Sequence, residues 1–587
     1  MFLKKSIKKV NGKTYCHYKI VESYREGDKI KHRILFPLGA LSNEQAERMR
    51  LAVSAYSNPN IVVSKADEIV VTKHAAYLSI AVLHHLWQDW ELNHFFSKDR
   101  WVEAMVINRC LDPVSKIGLK EWMQRTVLPA YLDIDDPTSL NEFDVYRELD
   151  RLHKMDCKLQ PFLYRQIRER RPGSQNAFFY DITSTYVTGN RCVLASLGYS
   201  RDHRPDCEQI VIALMVTPEG YPFYWRVMEG NTQDITTITD LVRDTKTRFD
   251  LDSCTMVFDR GMVSTENLKA LEGNEWKYVT AMDRDEIQSS QFFESALPEP
   301  PMPNDYDQVM AVQEFIPVDE NALMYYREFA ASNRRHILTF DVARFLQERN
   351  AHTARMNAFE KWMAKKNQSL RQAKKARSRD VLEQEITNVL KRKRLKKFIA
   401  VHIEESGHEI TNKRGQSRTV HSFQLSYTTD TAALKKELRL HGITCFLTNL
   451  SGLDYPAPEI IQWYRRKNKI EEAFHEIKSH LELRPIFLTR AERVMAHVTV
   501  CVLAYFLYND MQQRLIAGNV NISPEEVFRL FEECKINRIL FKQTNQANLS
   551  ITEPSTRQKE VLGSINCETV IEQKYVNQVL KKVKNWL

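Results

Sequence analysis

Three acidic residues in this chain have the types and surroundings that a metal-assisted phosphate chemistry needs. Asp181 follows the apolar run Phe178-Phe179-Tyr180, Asp259 follows Met256-Val257-Phe258, and Glu471 lies in the amphipathic stretch Ile470-Glu471-Glu472-Ala473-Phe474. Two strand-end aspartates and a helical glutamate can converge on Mg²⁺, a hard cation that takes oxygen ligands and keeps positions open for water and phosphate oxygens. Each acid also has a plainer reading. An Asp after an apolar strand often closes a turn or caps a helix, and Glu471 with Lys467 and Lys478 could form a salt-bridged helix surface. Ser264 or Thr265 is the better cap for the helix that follows Asp259, which leaves that carboxylate available for other work. Thr183 and Ser184 could hydrogen-bond Asp181 as supporting groups.

Helix geometry separates the acids of the last segment. At 100° per residue, Trp463, Ile470, Phe474, Ile477 and Leu481 share one face, and Glu471 lies about 90° from it, Glu476 about 130° and Glu472 about 170°. Glu471 therefore borders the core and can reach strand ends, whereas Glu472 points to solvent. Seven residues make nearly two turns, so Tyr464, Glu471 and Lys478 form one stripe, with Lys467 one turn from Glu471.

The elements that must position these groups follow from hydrophobic rhythm. Residues 1–40 read as a basic β-hairpin around the turn Arg25-Glu26-Gly27-Asp28, and residues 67–170 read as helical, with Ala76, Ile80, Leu83, Leu86 and Trp87 on one stripe. From 177 to 282 the order is strand, hairpin, helix, strand, helix, strand, with strands ending at Asp181 and Asp259 and a helix from near Asp234 to Arg248: an α/β layer with an antiparallel portion. Between about 284 and 440, strand-like pieces at 325–329 and 336–340, a charged helical hairpin at 345–397, and strands at 398–404 and 422–427 read as a self-contained insertion. The core pattern resumes with a strand at 443–448 and a long helix from Pro456-Ala457-Pro458, prolines being tolerated in a first turn. Beyond 510 the pattern is weak helix and loop. The predicted organisation is thus 1–66, an N-terminal basic β-hairpin region; 67–170, an α-helical domain; 171–284 and 441–510, two parts of one core; 285–440, the insertion; and 511–587, a C-terminal helical region.

Composition restricts the partners. The chain has 587 residues and a net charge of +9, but residues 1–33 carry +7 and residues 361–397 carry +11, so the remainder carries −9. Two concentrated basic segments on an otherwise acidic protein suit a polyanion, because phosphate neutralisation releases counterions; each segment taken singly could equally be a solvated face. Ten cysteines without a Cys-x-x-Cys pair argue against a zinc site and a disulfide framework, and for reduced thiols in a cytoplasmic setting. The first residues lack the apolar core of a signal peptide, and the apolar stretch 498–508 is too short to span a bilayer, so no membrane role is expected. The Ser, His and Asp residues within 198–206 lack a nucleophile elbow, and no phosphate-cradling Gly-x-x-x-x-Gly-Lys-Ser/Thr loop is present, which disfavours a hydrolase triad and an ATP-driven motor.

Taken together, Tyr-Asp-Ile-Thr-Ser around Asp181, Val-Phe-Asp-Arg-Gly-Met around Asp259 and Ile-Glu-Glu-Ala-Phe-His-Glu-Ile-Lys around Glu471 resemble the DDE transposases of bacterial insertion sequences. One branch of that family has a Tyr-Arg-Glu-Lys signature, which Tyr464, Glu471 and Lys478 match; its Arg position is Lys467 here, which keeps the charge and loses the bidentate fork. The stretch 198–206 and Gly230-Asn231-Thr232 also look like family features. The resemblance implies a multi-domain α/β protein whose ribonuclease-H-like catalytic core is interrupted by an insertion domain between Asp259 and Glu471. It implies Asp181, Asp259 and Glu471 as catalytic residues and ligands of two Mg²⁺ ions, with Mn²⁺ able to substitute. Tyr464, Lys467 and Lys478 would contact DNA. The implied activity is cleavage at transposon terminal inverted repeats and transfer of the 3′-OH into target DNA, by a protein that acts as a homodimer on double-stranded DNA and associates with the nucleoid when bound. The hairpin at 345–397 becomes a candidate DNA arm or an oligomerisation coiled coil. Two rivals stay open: a related nuclease without joining activity, and a catalytically silent DNA-binding derivative.

Overall fold

The computed structural model describes all residues except 11–12, 59–60, 142, 172–176, 190, 234–236, 250, 252–253, 332, 372–377, 412–414, 416, 585 and 587. It divides into two compact units, one of residues 1–155, 480–483 and 496–587, the other of residues 156–479 and 484–495.

In the first unit, β1 (Phe2–Val10), β2 (Lys13–Glu26) and β3 (Lys29–Gly39) form an antiparallel sheet in which the expected hairpin gains a third strand. The helix Asn43–Ser57 follows, opened by a capping box in which Ser42 accepts from Gln45 N and the Gln45 side chain accepts from Ser42 N. A second sheet joins distant parts of the chain: β4 (Ile69–Ala76) pairs with β16 (Lys535–Phe541), which pairs with β17 (Gln546–Ile551). The expectations of a purely helical 67–170 and a helical 511–587 are corrected here, because each segment supplies strands to this sheet. One helix, Ala491–Ala517, is long and apolar enough to cross a membrane, and 94% of its apolar window is buried inside the protein, as for a core helix.

The second unit is built on a mixed nine-stranded sheet. Within it β5 (Ala177–Tyr186) is flanked by antiparallel β6 (Gln209–Val216) and β7 (Pro222–Glu229) on one side and by parallel β8 (Thr255–Phe258) and β9 (Lys277–Ala281) on the other. Every residue of β6 and β8 is buried, as expected for strands covered on both faces. The helix expected from Asp234 is observed as Thr237–Phe249; Asp234 itself lies outside the described residues.

The sheet does not stop at β9. β10 (Ile316–Pro317), β11 (Met324–Ala331) and β12 (Arg334–Asp341) continue it, linked to β9 through β15 (Ile443–Thr448). The segment read as a self-contained insertion therefore lends these strands to the central sheet. Its other part is the helical pair Val342–Arg371 and Arg379–Arg392 with the ribbon of β13 (Ile399–Thr411) and β14 (Ser417–Thr429). This part has its own core, in which Phe359, Leu382, Leu395 and Phe423 are buried together.

Candidate active site

Register brings the two aspartates together. Tyr180 lies opposite Phe258 in the parallel β5/β8 pair, so Asp181 and Asp259 occupy the next position on adjacent strands. Adjacent strands are about 4.8 Å apart, which makes this pairing independent of side-chain placement. Contrary to the sequence reading, β5 does not end at Asp181; it runs on to Tyr186 because β6 continues to pair with it through Gln209. Asp259 does leave its strand. It precedes the short turn of 3-10 helix Arg260–Met262 without capping it through its side chain, and Ser264 caps the next helix by accepting from Asn267 N, as expected.

Glu471 arrives on the helical segment over the sheet. The helices Ala457–Arg466 and Asn468–Lys478 meet at Lys467, where the hydrogen bonds tighten from i→i+4 to i→i+3: Lys467 N donates to Tyr464 O at 3.1 Å and Ile470 N to Lys467 O at 3.0 Å. Trp463, Ile470, Phe474, Ile477 and Leu481, the predicted face, are buried, and Ala473 is buried beside them. The first helix packs on β8 and β9 and the second on β5 and β6. The stripe carrying Tyr464 and Glu471 is thereby aimed at the strand ends.

Lys467 occupies the middle of the acidic group. Its side chain is 8% exposed, and its Nζ lies 3.1 Å from Glu471 Oε1 and 3.7 Å from Asp259 Oδ1, while those two carboxylate side chains are 57% and 47% exposed. The ammonium therefore sits beneath its partners rather than in solvent. The Tyr464 phenol donates to Asp259 Oδ1 at 3.3 Å, and burial, followed by the Asp259 charge, raises its pKa. Asp181 accepts from Ile182 N at 2.7 Å. Burial pushes the Asp181 carboxyl up to about 6 against the opposing pull of Lys467 and Arg201, with the Asp259 charge adding to the rise. Among the described residues, no group of three or more His, Cys, Asp or Glu side chains is already gathered as a metal cage.

A second ionic cluster lies at the far end of the same helix. Lys478 Nζ donates to Ser184 O at 2.5 Å and to Asp202 Oδ1 at 2.9 Å, and Arg484 Nη1 reaches Asp202 Oδ1 at 2.6 Å. Asp202 Oδ2 accepts from Tyr186 N at 3.3 Å. The Asp202 side chain is 5% exposed; burial acts to raise its pKa, but Lys478 and Arg484 outweigh it and hold the carboxyl below the ordinary range. Burial lowers the pKa of Lys478 despite Asp202. Sequence reasoning missed the roles of Asp202 and Arg484, because no spacing rule links residues 276 or more positions from their partners.

This cluster pins a loop across β5. Ser184 Oγ donates to Tyr199 O and accepts from Arg201 N, so it serves the loop and not the Asp181 carboxylate as anticipated. Gln209 Nε2 bonds Tyr199 O at 3.0 Å and Gly230 O at 2.9 Å. A Cβ at Gly230 would lie 1.9 Å from Gln209 O, which explains the glycine of Gly230-Asn231-Thr232. Between this loop and the strand end opens a cavity of about 470 Å³ lined by Thr183, Ser184, Tyr199, Arg201, Asn231 and Gly261 among others.

Comparisons with known proteins identify the family of the chain. Residues 3–60 match the N-terminal domain of the IS1634 family of transposases, and residues 174–507 match the transposase DDE domain. No curated protein matches the chain. A solved synaptic complex of the piggyBac transposase with hairpin DNA is 8% identical, covering 83% of this chain and 75% of that one with a TM-score of 0.33; a Mos1 transposase paired-end complex with the left transposon end is 11% identical, covering 47% and 74% with a TM-score of 0.14. These two similarities are too slight to bear on fold or mechanism. The DDE match spans more than half of the 587 residues and takes in Asp181, Asp259 and Glu471 together with the helices that carry the last of them, and on that ground the chain belongs to the DDE transposases of insertion sequences.

Proposed function

We propose that this transposase cuts DNA at the ends of its element and joins the freed 3′-OH to target DNA, using Asp181, Asp259 and Glu471 as its catalytic acids. The observation that carries the proposal is that Asp181 and Asp259 stand side by side on adjacent parallel strands while Lys467 joins Asp259 to Glu471. The strand order β7-β6-β5-β8-β9, with antiparallel pairs to one side of β5 and parallel pairs to the other, supports a ribonuclease-H-like core.

The donor set fits a hard divalent ion. It consists of carboxylate oxygens only, the partly buried Asp181 disfavours its own isolated charge, and a cation already lies between the other two acids. Bound Mg²⁺ or Mn²⁺, two ions in this reading, would supply an activated water and neutralise charge on the phosphodiester. The chain's own groups hold and orient. Asp181 and Asp259 are fixed by the sheet, Glu471 closes the site from the helix, and the Tyr464 phenol steadies Asp259.

Tyr464, Lys467 and Lys478 are the proposed DNA contacts. Tyr464 and Lys467 border the acids, whereas Lys478 would have to release Asp202 to reach a phosphate. The basic residues of 1–33 and of the helical pair within 342–392 would add contacts to the backbone, and synapsis of two ends calls for a homodimer. The test is Mg²⁺-dependent nicking of DNA carrying the terminal repeats, followed by a strand-transfer assay. Nicking without joining would favour a plain nuclease, and binding without either would favour a silent derivative.

A further inference from the structure

We propose that Lys467 is a built-in counter-cation that holds the acidic site together in the metal-free protein, gives way to the divalent ions, and is thereby released toward a DNA phosphate. This inference rests on the metal reading above. Three observations lead to it. The Lys467 ammonium is nearly enclosed although both of its carboxylate partners are half exposed, so it fills the interior of the acidic group rather than bridging its rim. Two carboxylates hold this one ammonium at 3.1 and 3.7 Å, and the third acid, Asp181, lies beside Asp259 on the adjacent strand, where the Lys467 and Arg201 charges both act on it. The residue sits at the junction of two helices, where the Tyr464 ring, 5.9 Å from Nζ, forms one wall.

An ammonium and a divalent ion cannot share such a space, because their repulsion at a few ångströms exceeds that of two unit charges at the same separation. A lysine can yield, since a compact charge on a flexible four-carbon stem swings away without moving the backbone. An arginine fork would grip the same carboxylates in two places and yield less readily. Metal loading and the freeing of Lys467 are then one event, and by linkage each favours the other's partner: the ion strengthens contact with a phosphate, and the phosphate strengthens retention of the ion.

The test uses the full chain without DNA and titrates Mn²⁺, read by electron paramagnetic resonance. Lys467→Met should bind Mn²⁺ roughly tenfold more tightly than wild type, and Lys467→Arg more weakly than wild type. In chelator, Lys467→Met should melt at a lower temperature than wild type, and Mn²⁺ should raise its Tm by more than it raises that of wild type. With DNA and non-cleaving Ca²⁺, the salt dependence of wild-type binding should steepen by about one phosphate contact relative to chelator, and that of Lys467→Met should not. Equal Mn²⁺ affinity in wild type and both variants would overturn the proposal while leaving the metal site standing. If none of the three binds Mn²⁺, the metal reading falls and this inference falls with it.

Discussion

The two ends of the helical segment at 457–478 carry ionic clusters of opposite balance. At Lys478, one carboxylate, Asp202, meets two cations, Lys478 and Arg484, and the remaining lone pairs and donors go to Tyr186 N and Ser184 O. At Lys467, one buried ammonium meets two carboxylates, Asp259 and Glu471, and Asp181 lies on the adjacent strand under the pull of Lys467 and Arg201. The first cluster is complete without a ligand and fastens the loop at 198–206 to β5. The second carries surplus negative charge on adjacent strands, which is what a site awaiting cations requires. Residue type does not separate the two lysines; the number of acids within reach does.

The comparison can be broken most sharply at the surplus carboxylates. Asp181→Asn, Asp259→Asn or Glu471→Gln should not lower Tm and should reduce Mg²⁺-dependent cleavage by on the order of 10³-fold, the loss of several kcal/mol of charge stabilisation. Retained nicking in any of them excludes that residue as a ligand. In the balanced cluster the reverse holds. Asp202→Asn leaves the largely enclosed Lys478 and the partly exposed Arg484 without their shared acid and should cost about 1–3 kcal/mol of stability by urea unfolding, with cleavage falling only as far as the loop is loosened.

A smaller effect concerns pH. The Asp181 carboxyl sits at about 6 in the metal-free protein against 3.8 for an ordinary aspartate, so the folded state holds its proton where the unfolded chain has lost it. Stability in chelator should therefore fall as pH rises from about 4 to about 6, and Asp181→Asn should flatten that slope. Least of all, Tyr464→Phe removes one hydrogen bond to a half-exposed acid and should change stability by about 1 kcal/mol or less. Its larger consequence should appear in affinity for cleaved ends, and unchanged affinity would remove Tyr464 from the proposed contacts.

Much of the site was legible because its parts are local. Apolar runs marked β6, β7, β8 and β15, helix arithmetic identified the buried face through Ile470 and Phe474, and the Ser264 cap left Asp259 available. Other parts depended on partners far away in the chain. β4 and β16 are short strands whose pairing spans more than 450 positions, so neither segment shows it alone. The continuation of β5 past Asp181 is set by β6, and the strands β11 and β12 read as an insertion because only β15, a hundred residues on, ties them to the sheet. Lys467 was recognised as a departure from the family's arginine. Its enclosure by carboxylates required the fold.

The pairing of β4 with β16 has a consequence for how the protein is made. Among the described residues β4 has one partner strand in its sheet, and that partner emerges from the ribosome only after some 460 further residues have been translated. Until then β4 is a bare edge, open to pairing with any other exposed strand. A polypeptide halted before Lys535 keeps that edge permanently, so premature stops in this gene should yield aggregating fragments rather than shortened, competent enzymes.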